Sequence, residues 1–62
     1  MKRILEHLRN GGEVYCHTYD MHVLAVFDTP LKQELYLGDI DTKKLYLIVS
    51  FHDEDIDDYS FD

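Results

Sequence analysis

The sequence lacks the covalent staples on which chains of its size depend. Cys16 is the only cysteine in 62 residues, so no disulfide can form within the monomer. A core this small rarely supplies more than about 3–5 kcal/mol alone, and short natural chains add disulfides, metals or partners. A lone cysteine also fits a reducing compartment better than a secreted one. Long apolar runs are missing too: none approaches the roughly 20 residues of a membrane span. Residues 1–8 alternate charged and apolar side chains and contain no continuous signal-peptide core. These absences predict a cytoplasmic protein of one domain with no membrane partner.

Basic charge is scarce. Six Lys and Arg face thirteen Asp and Glu, a net charge of −7. The deficit is local: residues 53–62 hold six acids and no base, whereas residues 1–52 hold seven acids and six bases. Three of those bases, Lys2, Arg3 and Arg9, fall in the first nine residues. Phosphate recognition needs clustered Lys and Arg, so direct nucleic-acid binding is not expected.

What the chain does have is apolar periodicity. Leu45-Tyr46-Leu47-Ile48-Val49-Ser50-Phe51 is rich in β-branched and aromatic residues and predicts a strand with both faces partly covered. Ile4, Leu5 and Leu8 form a narrow helical stripe over residues 2–10, stopped by Asn10-Gly11-Gly12. This helix has no N-cap, and its first-turn bases oppose the dipole, so it needs a surface to pack on. Residues 13–28 predict a hairpin turning at Asp20-Met21, which pairs Val14 with Phe27, Cys16 with Ala25 and Thr18 with Val23. That face is small and apolar. The opposite face collects Tyr15, His17, Tyr19, His22, Leu24 and Val26. Thr29-Pro30-Leu31-Lys32 is a connection. A second hairpin, residues 33–38 and 44–51, sets Leu35, Leu37, Leu45, Leu47, Val49 and Phe51 on one face, and Tyr36, Tyr46 and Ile48 on the other. The expected fold is α+β: a short N-terminal helix on an antiparallel sheet of about four strands. Residues 1–52 form the domain, and residues 53–62 an acidic tail containing aromatics.

Two groups of residues stand out. The first is a sheet face bearing Tyr15, His17, Tyr19, His22, Tyr36 and Tyr46, which a single helix packed on the other face leaves open. Exposed apolar surface of this kind marks interaction sites, and tyrosine is frequent at interface hot spots. The competing expectations are a solvated face with amphipathic Tyr tips and no partner, a face covered by the tail, or a stacking platform for single-stranded nucleic acid. The second group is the tail, where Asp53, Glu54, Asp55, Asp57 and Asp58 alternate with Ile56, Tyr59 and Phe61. Acids interleaved with large apolar residues predict a ligand for a partner. The competing expectation is a solubilising tail, or one folded back on Lys2, Arg3 and Arg9. Catalytic machinery is not expected, because no nucleophile–base pair or phosphate loop is present and Cys16 has the character of a small buried hydrophobe. Cys16, His17, Asp20, His22 and His52 are metal-capable, but their spacing is unlike zinc sites. Asp39 and Asp41 lack the pattern of a calcium loop and suit ordinary turn chemistry. No cofactor or metal is expected.

The expected function is therefore interaction: a small acidic module, an inhibitor or modulator that binds a basic surface of a nucleic-acid-handling protein. Carboxylates would take the place of phosphates on a positive cleft. Antitoxins, phage-encoded anti-defence proteins and other nucleic-acid mimics often combine this size with this sign of charge, an analogy at the level of class. Steering by opposite charge would make association fast and salt-sensitive. The alternative is a structural homo-oligomer, most simply a two-fold homodimer, joined through the Tyr-rich face.

Overall fold

The computed structural model describes residues 2–50 and 56–62. Its elements are α1 (Lys2–Arg9), β1 (Val14–Cys16), β2 (Met21–Asp28), β3 (Gln33–Gly38), β4 (Leu45–Ser50), a 3-10 turn (Ile56–Asp58) and β5 (Tyr59–Phe61). The helix packs on a five-stranded sheet of order β4-β3-β2-β1-β5, antiparallel at every pairing. The expected α+β architecture is present, with five strands where four were anticipated. The fifth comes from the acidic end of the chain.

The helix stops where its sequence says it should. Gly11 takes a φ of 83°, open to glycine without a Cβ clash. Its amide donates to the Leu8 carbonyl at 3.1 Å, and the Gly12 amide donates to the His7 carbonyl at 3.0 Å. These are the paired bonds of a Schellman terminus. Ile4 is fully buried and Leu8 partly so, and with them α1 covers chiefly β1 and β2. Val14, Cys16, Val23, Leu35 and Leu37 complete the buried core. Leu47 and Val49 on β4 are only half-buried, toward the side of the sheet farthest from the helix.

The first hairpin differs from expectation in its turn. Asp-Met is a poor two-residue turn; residues 17–20 form the turn instead, and the register is Tyr15 with His22 and Cys16 with Met21. Asp20 closes it at φ 56°, a left-handed conformation that Asp tolerates. The shift is an even number of residues, so Val14, Cys16 and Val23 stay on the buried face. Thr18 leaves that face and is exposed in the turn.

Farther along β2, a bulge between Val23 and Ala25 inserts one residue into the ladder. One extra residue reverses every side chain after it. Val26, expected on the open face, packs against the core opposite Leu35. Phe27, expected on the apolar face, turns out to 43% exposure with its ring 5.1 Å from Tyr36.

In the second hairpin Leu35 pairs with Val49, Tyr36 with Ile48 and Leu37 with Leu47, the faces anticipated. A register shift at Gly38 then leaves Leu45 44% exposed, against its expected place in the core. A Cβ on Gly38 would collide with the Lys44 carbonyl, so the close approach of the two strands requires glycine there. Phe51, also expected on the core face, lies outside the described residues.

β5 adds to the free side of β1, pairing Val14 with Phe61, Tyr15 with Ser60 and Cys16 with Tyr59. Glu13 and Asp62 extend the ladder by exchanging two 2.9 Å bonds, and at the other end the His17 amide donates to the Asp58 carbonyl at 2.8 Å. Among the described residues, no helix is long and apolar enough to cross a membrane.

Candidate functional site

The antiparallel order gathers three connections at one end of the sheet: the 17–20 turn, the 39–44 loop and the 3-10 turn that leads into β5. They carry Asp20, Asp39, Asp41, Asp57 and Asp58. Four of these side chains are exposed. Asp39 is half-buried, because its Oδ1 accepts from the amides of Asp41 at 2.8 Å and Thr42 at 3.3 Å and so shapes the loop. Asp20, Asp39 and Asp41 line an open depression of about 280 Å³, beside Ile40, His22 and Tyr46. Lys43 and Lys44 lie in the same loop, and the Lys44 amine is 5.4 Å from the centre of the Tyr46 ring. Five carboxylates against two ammonium groups leave this end of the sheet acidic.

The predicted tail residues divide. Asp53, Glu54 and Asp55, like His52, lie outside the described residues, and so does the side chain of Ile56. Asp57 and Asp58 are exposed at the acidic end. Tyr59 and Phe61 are half-buried and pack against the core. Arg3 lies over the Phe61 ring at 4.5 Å, and the His7 ring meets the same ring edge-on at 5.3 Å. His7 Nε2–H donates to the Asp62 carbonyl at 2.6 Å. Arg3 and His7 are four residues apart and therefore neighbours on the helix surface. Arg3 was one of three bases anticipated as a dock for the acidic segment. The role of His7 was missed, though its i+4 spacing from Arg3 was the available signal.

The open sheet face carries the other predicted group. Tyr15 stands edge-on between His17 and His22, both rings 5.1 Å away, and His17 Nε2 is 2.6 Å from Ser60 Oγ. Tyr36 belongs to a separate cluster with Phe27 and Lys32; the Lys32 amine lies 4.7 Å from the Phe27 ring and 3.2 Å from Glu34. The Glu34 carboxylate, and after it the Tyr36 hydroxyl, raise the Lys32 amine above its ordinary pKa of 10.5. Tyr46 is 58% exposed near the β4 edge, and Tyr19 sits apart in the 17–20 turn. Phe27 was missed because the bulge that brings it to this face leaves no mark in the apolar pattern.

Among the described residues, no group of three or more His, Cys, Asp and Glu is placed to hold a metal. Cys16 is buried in the core, on the face away from Tyr15 and its histidines. No family model, curated protein or solved structure matches this chain.

Proposed function

We propose that this chain is an acidic interaction module that binds a basic surface of a nucleic-acid-handling protein and inhibits or modulates it by occlusion, without catalysis. The observation that supports this reading is the convergence of Asp20, Asp39, Asp41, Asp57 and Asp58 on one end of the sheet from three separate connections. Carboxylates spaced by a folded sheet end lose less freedom on binding than carboxylates on a loose tail. They can stand where phosphates would, on a cleft lined by Lys and Arg. The depression beside Tyr46 suits a guanidinium or ammonium head, with the carboxylates as acceptors and the ring alongside. In this reading Tyr59 and Phe61 serve the partner indirectly: anchored in the core, they hold β5 and with it Asp57 and Asp58.

The test is capture from a lysate of the native host on immobilised protein, comparing the natural chain with one carrying Asp20→Asn, Asp41→Asn, Asp57→Asn and Asp58→Asn. Asp39 is spared because its carboxylate shapes the loop. The natural chain should retain basic nucleic-acid-binding proteins and release them as salt rises. The variant should bind them roughly tenfold more weakly or worse, a loss of about 1.4 kcal/mol. Equal retention by the two proteins, or retention indifferent to salt, would sink the proposal.

A further inference from the structure

Among the described residues, the longest edge strand of the sheet is β4. Among the described residues no strand pairs with its outer side. Natural edge strands avoid pairing with other chains by carrying charge or proline, or by being short. The six residues Leu45–Ser50 contain neither charge nor proline, whereas the opposite edge, β5, has three residues. β4 is also apolar on both faces. Tyr46 and Ile48 are exposed on the open side, and Leu47 and Val49 are half-covered on the core side.

We infer that β4 pairs antiparallel with β4 of a second copy about a two-fold axis, joining the two sheets edge to edge. Self-pairing needs only one kind of surface, and the strand that best matches an edge apolar on both faces is one apolar on both faces. Leu47 and Val49 would meet their own counterparts and gain the cover that α1, seated over β1 and β2, does not supply. Charge selects the direction. Lys43 and Lys44 precede the strand, and the acidic sheet end with Asp20, Asp39 and Asp41 lies beside its first residues. A parallel pairing would set lysine against lysine and acidic end against acidic end. The antiparallel pairing sends both to opposite poles of the dimer. An edge contact buries less than the roughly 800 Å² per partner of a standard interface, so the dimer is weak.

Sedimentation of the full chain tests this, from on the order of 10 μM to 1 mM, since mass action governs a weak dimer. Each copy carries −7, so added salt should strengthen the dimer by screening. This is opposite in sign to the salt effect expected for the basic partner, so failure of either idea leaves the other standing. Ile48→Lys, a charge at an exposed edge position, should raise the dissociation constant roughly tenfold or more, about 1.4 kcal/mol. Phe27→Ser, on the same open face but two strands inward, should dimerise like the natural chain. Slower amide exchange in β4 at high protein concentration, with β5 unchanged, is the readout that needs no variant. A natural chain that stays monomeric at the top concentration in high salt overturns the inference. So does loss of the dimer in Phe27→Ser with Ile48→Lys unaffected, which would assign the contact to the sheet face.

Discussion

Leu37 and Leu47 face each other across the β3–β4 ladder, yet they stand to lose different amounts. Leu37 is fully buried, so Leu37→Ala should cost about 2–5 kcal/mol, most of what a domain this small holds. Leu47 is half-covered, and Leu47→Ala should cost clearly less. Urea denaturation of the two variants decides; equal losses, or a harmless Leu37→Ala, would move the centre of the core elsewhere. The alternation that marks these leucines was legible in the sequence because each is flanked by residues of the other face. Val26 and Phe27 were not legible. Both are large and apolar, so the pattern is satisfied whichever one is buried, and only the bulge at Leu24 decides. The need for glycine at position 38 was equally hidden, since the atom that forbids a Cβ belongs to Lys44 across the loop.

At the level of elements, α1 could be placed from its stripe and its Asn-Gly-Gly stop, and both hairpins from their alternation. β1 is shorter than its apolar alternation suggests. The alternation continues through His17 and Tyr19, but those residues belong to a turn closed by Asp20 in the left-handed region. β5 was half-legible. The two-residue spacing of Tyr59 and Phe61 permits a strand, while Asp57, Asp58 and Asp62 around them resemble a solvated tail. The side chains settle into the core while the acids stay at the surface or the ladder's end. A sharp outcome follows for shortened chains. Removal of everything after His52 would be harmless if the acidic segment were an appendage. With β5 in the sheet, even a chain ending at Asp58 should melt at lower temperature and aggregate, because Tyr59 and Phe61 no longer cover the core and β1 becomes a bare edge. A thermal melt identical to that of the full chain would refute the structural role of β5.

For the molecule as a whole, the imbalance of charge was plain from the sequence but its shape was not. In the sequence, Asp20, Asp39 and Asp41 read as turn residues, and Asp57 and Asp58 as part of a tail. Only the antiparallel order, with β5 placed beside β1, brings connections so far apart in the chain to one end. The same order has a consequence in time. The β2–β3–β4 ladders close over short loops, whereas the β1–β5 ladder joins Val14 to Phe61, about three quarters of the chain apart. Each doubling of loop length adds about 0.6 kcal/mol, so that closure costs roughly 1–2 kcal/mol more than closing the β3–β4 hairpin. During refolding, pulse labelling should find amides in β3 and β4 protected before those of β5, and simultaneous protection would contradict this order. The carboxylates of the 39–44 loop would then be in position before Asp57 and Asp58 join them, so the acidic end of the sheet is finished only when the farthest strand arrives.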